Sequence, residues 1–146
     1  MQTKILLHLL NIPYIPMTSE QIYARKLDWI CAYIPSEHHQ KVAEYHCLPS
    51  IGGYSDYLWH AFSFELLHCL GGDEARNAFD GIYRGEAILI SNWDEEGFYI
   101  PNASRLTANE LDKVSDVVIS GKDFKWTYAK THESLLGPYF YMPSGM

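Results

Sequence analysis

The apolar residues of this chain change period part-way along it, and that switch restricts the fold to one in which helices and a sheet share a core. Residues 18–45 read as helical. Thr18 and Gln21 have the spacing of a capping box, in which hydroxyl and amide each satisfy an otherwise orphaned backbone donor, and Tyr23, Leu27, Ile30 and Ile34 then recur every three or four positions. Pro35 stops this helix. Ser36 is placed to cap a second one, through His38, Val42 and Tyr45, which ends before Pro49 and the Gly52-Gly53 turn. From residue 57 the pattern is that of strands. Residues 57–64 alternate large apolar with small or polar side chains, and residues 86–93 contain a run of buried-strand type.

The remaining segments fit between these. Gly71-Gly72-Asp73 begins a short helix with Ala75, Ala78, Phe79 and Ile82 as its apolar face, and Asp73 and Glu74 lie where the positive end of its dipole stabilises carboxylates. Asp94 to Gly97 form a turn returning the chain through Phe98, Tyr99 and Ile100, with the glycine supplying a positive backbone dihedral. Residues 106–114 read as a helix with Thr107 and Glu110 as a second capping box, and residues 116–120, 125–131 and 139–142 as strands. The expected fold is α+β, with N-terminal helices packed on a mostly antiparallel sheet of about five to six strands and two helices inserted in it. A chain of 146 residues is expected to form one domain, residues 1–146, large enough to hold a core without disulfides or a structural metal.

Charge is unevenly placed. Residues 71–100 carry Asp73, Glu74, Asp80, Glu86, Asp94, Glu95 and Glu96 against Arg76 and Arg84, so this segment holds most of the net charge of −7. A field of that sign favours basic partners and repels nucleic acid. Phosphate recognition needs clustered bases, and the one concentration present, Lys122, Lys125 and Lys130, is diluted by Asp116 and Asp123. Direct nucleic-acid binding is therefore not expected. Cys31, Cys47 and Cys69 are odd in number and form no CxxC pair, which fits reduced thiols and a cytoplasmic setting. The opening residues mimic a signal peptide through Lys4 and a short apolar run, but His8 interrupts the run and no small-residue cleavage site follows. No stretch approaches the roughly 20 apolar residues that span a bilayer, so no membrane partner is expected.

Seven histidines raise the question of a metal or an acid–base site. A zinc site drawn from His46-Cys47 and His68-Cys69 lacks the two-to-four residue gap of a chelating loop, so no metal and no cofactor are expected. His132 with Glu133 as its orienting carboxylate, and His60 in the sheet, sketch an enzyme. A hydrolase also needs a nucleophile and an oxyanion site, and no GxSxG, HExxH, phosphate-loop or dinucleotide pattern is present. His60, beside Trp59 in an apolar segment, fits a hydrogen-bonded core residue better than a catalyst. The acids of the turn have no helix dipole to explain them. Asp94, Glu95 and Glu96, flanked by Trp93 and Tyr99, combine charge with rigid aromatic area, as at a surface that steers and anchors a basic partner.

Two stretches carry a resemblance: residues 57–79 (YLWHAFSFELLHCLGGDEARNAF), and residues 123–133 (DFKWTYAKTHE) followed by Gly137-Pro-Tyr-Phe140. They resemble the small bacterial proteins grouped as domain of unknown function 4275, over about a quarter of the chain. That resemblance implies no known activity. In type, though not in motif, the family's size, acidity and lack of enzyme motifs are similar to immunity proteins of bacterial toxin systems, which occlude a cognate toxin such as a basic nuclease. It implies a non-enzymatic inhibitor, with Asp94, Glu95, Glu96, Tyr99 and Trp93 as contacts, Asp73, Glu74 and Asp80 in support, and Trp59, Trp126, Pro138 and Tyr139 chiefly in the core. The alternatives are the histidine enzyme and a structural module that self-associates through its aromatic surface.

Overall fold

The apolar run at residues 87–91 has a direct cause in the computed structural model, which describes residues 1–41, 62, 68–91, 95–133 and 137–143: both faces of the sheet are covered. Among the described residues seven strands, β1 (Ile15–Pro16), β2 (Leu70–Gly71), β3 (Ala87–Ser91), β4 (Glu96–Ile100), β5 (Val117–Gly121), β6 (Thr127–Lys130) and β7 (Tyr139–Tyr141), form one sheet. Their order is β1-β4-β3-β5-β6-β7-β2, and every neighbouring pair is antiparallel. The expected antiparallel sheet is present, but with seven strands instead of five to six. The surplus comes from its margins, because β1 and β2 are two residues long, too short to leave an alternating pattern.

Side-chain parity sorts the core into two layers. Leu89, Phe98, Ile119, Tyr128 and Phe140 stand opposite one another across the sheet. They pack with Leu6 and Leu7 of α1 (Thr3–Leu9), Ala75 and Phe79 of α3 (Gly72–Gly81), and Ala108 and Leu111 of α4 (Ala108–Leu111). The neighbouring positions Ile88, Ile90, Val118 and Ala129 face the other way, onto Ile22, Trp29, Ile30 and Tyr33 of α2 (Ser19–Tyr33). The helices thus cover both faces and are spread along the chain, which corrects the expectation of an N-terminal helical layer. The opening apolar run is α1, and two of its leucines are core residues.

Helix α2 starts as its sequence dictates. Gln21 N–H donates to Thr18 Oγ1 at 3.1 Å and Thr18 N–H donates to Gln21 Oε1 at 2.9 Å, a complete capping box, and the helix ends two residues before Pro35. Its buried face differs from the expected one, since Tyr23 and Leu27 are 47% and 40% exposed. Trp29 and Tyr33 set the rotation. The Trp29 indole N–H donates to Thr127 Oγ1 at 3.0 Å and the Tyr33 hydroxyl to the Trp126 carbonyl at 2.7 Å, so both bury their rings only where their polar tips meet the sheet.

Other expectations are modified locally. The helix expected from Ser36 begins as a 3₁₀ turn, Ser36–His38, and its later part lies outside the described residues. Of the strand expected at 57–64 the described residue is Phe62, which is helical and packs edge-on against Trp29. In the turn before β4 the positive dihedral belongs to Glu95 (φ 54°), not to Gly97. Gly97 serves a different need, because a Cβ there would lie 2.6 Å from Ile22 Cγ1 of α2. The helix expected at 106–114 contracts to α4. Thr107 Oγ1 accepts the Glu110 N–H at 3.3 Å, while the Glu110 carboxylate accepts from Lys113 Nζ at 2.7 Å instead of closing a capping box.

Candidate functional site

The sheet register decides which charged residues share a surface. Glu96, Ser91, Val117 and Lys130 form the last cross-strand row at one end of the sheet. Just beyond that row the Gly72 N–H donates to the Pro138 carbonyl at 3.0 Å and α3 begins. On the other margin the Met17 N–H donates to the Gly97 carbonyl at 2.8 Å, and α2 begins two residues later. The two longest helices among the described residues therefore start at the same end. Their first turns carry Glu20, Asp73 and Glu74, all exposed, and each acid is stabilised by the positive helix terminus it sits on.

Three further acids join them without such a terminus. Glu95 is exposed in the β3–β4 turn, Glu96 follows it with Oε2 enclosed and making no hydrogen bond, and Glu133 is exposed beyond β6. From β4 to β2 the row crosses five strand spacings, about 24 Å at the usual interstrand distance. Lys130, the base in this row, is tethered through Nζ to the carbonyls of Val114 and Ser115 at 2.6 and 3.4 Å. The opposite end of the sheet is balanced by comparison. There Lys122 Nζ lies 3.2 Å from Glu86 Oε2 and Lys125 Nζ lies 3.9 Å from Asp123 Oδ2.

Of the contacts expected from the sequence, Glu95, Glu96, Asp73 and Glu74 are brought to this one end. Trp93 and Asp94 lie outside the described residues. Tyr99 is placed elsewhere, because it sits three residues along β4 from Glu96 and so on the other face, against α2. Its hydroxyl donates to Glu86 Oε2 at 2.8 Å. That bond and Lys122 hold the Glu86 carboxyl below the usual carboxylate range, and the same carboxylate raises the Tyr99 phenol. Asp80 has a structural task at the far end of α3: its Oδ1 accepts the Ala108 N–H at 2.8 Å and so caps α4 from another element.

His132 has a different orienting carboxylate from the one its sequence neighbour suggested. Its Nδ1 lies 2.9 Å from Oδ2 of Asp116, whose side chain is fully buried, whereas Glu133 Oε1 is 3.7 Å from Nε2. The pairing of Val117 with Lys130 brings the residue before β5 beside the residues after β6, a cross-strand relation that sequence spacing does not display. A buried carboxylate on Nδ1 fixes the orientation of the ring. His60 and the His46-Cys47 pair lie outside the described residues.

A family model described as Domain of unknown function (DUF4275) matches residues 17–140. The chain belongs to this family. No curated protein and no solved structure matches it. The DUF4275 match begins at Met17 and ends inside β7, so α2, α3, α4 and the sheet from β2 onward belong to the matched region, while α1 and β1 precede it. Both halves of the acidic end are inside the match. In this DUF4275 chain one cleft lies against α2 at Met17 and Tyr99 and another at Tyr83 and Trp126. Among the described residues no helix is long and apolar enough to cross a membrane.

Proposed function

We propose that this chain is an immunity-type inhibitor that binds a basic toxin domain, a nuclease being the expected kind, by laying the acidic end of its sheet over the toxin's cationic surface. The observation that carries this reading is the convergence of Glu95, Glu96 and Glu133 with the acidic first turns of α2 and α3 on one end of the sheet. A row about 24 Å across is commensurate with one partner's share of a standard interface, roughly 800 Å². Like-signed acids there would raise the encounter rate with a basic partner and repel nucleic acid that competes for it. Glu95 and Glu133 are the exposed carboxylates that an incoming arginine or lysine would pair with. Inhibition would be stoichiometric, with no turnover.

The test is co-purification with the product of the neighbouring upstream gene at low and high salt. A one-to-one complex weakened by salt is expected, and Glu95→Lys combined with Glu96→Lys is expected to weaken it at least tenfold, about 1.4 kcal/mol, without unfolding the protein. A stable monomer that captures nothing at either salt concentration overturns the reading. The bond between His132 Nδ1 and Asp116 supports a second reading, an acid–base enzyme. His132→Ala separates the two, since it would abolish turnover in the enzyme and leave an inhibitor complex intact.

A further inference from the structure

At the end of the sheet opposite the acids, a cleft of about 740 Å³ opens between the loop after α3 and the β5–β6 hairpin. Its volume is that of a small-molecule site. Ile82, Trp126 and Met142 supply apolar lining, and the Trp126 ring is fixed in the core beside Phe79. Tyr83 stands at the lip, 87% exposed, with its ring over Gly85, where a Cβ would come within 2.9 Å of Cε1 and the hydroxyl oxygen.

The loop that displays Tyr83 is held by an unusual investment of charge. Arg84 is 5% exposed, and its guanidinium donates to the carbonyls of Phe79 at 2.7 Å, Ile82 at 3.3 Å and Ser104 at 2.8 Å while lying over the Phe79 ring. Burying a guanidinium costs several kcal/mol before these bonds offset it. One result of that arrangement is a rigid loop that presents an aromatic side chain to solvent next to a cleft, as a binding site with a preorganised anchor would.

The polar rim sets Glu86 and Asp123 beside Lys122 and Lys125, and the least engaged of these groups is a cation. Glu86 is already satisfied by the Tyr99 hydroxyl and Lys122, and Asp123 Oδ1 accepts the Lys125 backbone N–H at 3.2 Å. The Lys125 ammonium has three donors and one loose contact, Asp123 at 3.9 Å, and is itself 76% exposed. We infer that this cleft binds a small aromatic acid, its ring between Tyr83 and the Trp126 side of the cleft and its anionic group on Lys125 Nζ. The site is separate from the acidic end and independent of the inhibitor reading.

The test is a nitrogen-15 NMR titration of the whole chain with 1-naphthoate and, in parallel, with the neutral 1-naphthamide. Naphthoate is expected to produce saturable shifts at the amides of Tyr83, Gly85, Lys125 and Trp126, with naphthamide at least fivefold weaker. Tyr83→Ala is expected to weaken naphthoate about fivefold, the size of one lost aromatic contact, and Lys125→Gln to remove the preference for the acid. Both side chains are exposed, so the rest of the spectrum serves as the check that the fold is kept. Shifts that do not saturate, that fall away from the cleft, or that are matched by naphthamide overturn the inference.

Discussion

Gly97 and Arg84 show how single residues set the packing of this protein. The absent Cβ at Gly97 lets α2 approach β4 until Ile22 Cγ1 and Met17 Cε stand 2.6 and 3.0 Å from where that atom would be. Gly97→Ala is expected to destabilise the fold by about 1–3 kcal/mol, the cost of overpacking a core, read as a lower urea midpoint with an unchanged slope. Arg84→Met keeps the bulk of the side chain and removes the donors to three carbonyls. Its expected cost is about 2–3 kcal/mol by the same measurement, from acceptors left without partners. The sequence marks Gly97 as a turn residue and is silent on Arg84. Neither role is legible in it, because one depends on the approach of a helix from 75 positions upstream and the other on carbonyls from two separate segments.

At the scale of elements, starts were more legible than faces. The Thr18–Gln21 spacing specified the beginning of α2 because a capping box is local chemistry, and Thr18→Ala is expected to cost about 1 kcal/mol in thermal or urea unfolding. The buried face of α2 was not legible, since it is fixed by the reach of Trp29 and Tyr33 to Thr127 and Trp126, almost a hundred positions away. The strands β3, β5, β6 and β7 were legible from apolar runs. The two marginal strands were not, and neither was the placement of Asp116 beside His132, for register is a relation between segments. The acidic stretch was legible as composition, but the sheet divided it. Glu95, Glu96, Asp73 and Glu74 went to one end, Tyr99 to the face under α2, and Asp80 to the cap of α4.

For the whole molecule, the two core layers make alkaline stability a shared property of both faces of the sheet. Burial raises the phenols of Tyr33, at the end of α2, and Tyr128, on the sheet face that α3 covers, above the ordinary tyrosine range, and pushes the Cys69 thiol up to about 11. Each group is held neutral in the fold, so the unfolded chain loses its proton first. Stability is then constant below the unfolded values and falls as pH rises past them, beginning above about pH 8.5 with the cysteine and steepening above about pH 10 with the tyrosines. Urea midpoints measured from pH 7 to pH 11 are expected to follow that course. Tyr33→Phe and Tyr128→Phe are each expected to flatten its upper part, and a midpoint independent of pH across that range would refute the assignment.

The sheet margins bear on how this protein behaves in a crowded solution. β1 and β2 offer only two residues each for pairing, and β1 contains a proline, which has no N–H to donate. Among the described residues, a neighbouring chain seeking to extend the sheet finds only a short template at either side. Edge-to-edge stacking of copies into fibrils is therefore disfavoured at these margins, and a partner is expected to be met there by side chains instead of by an added strand.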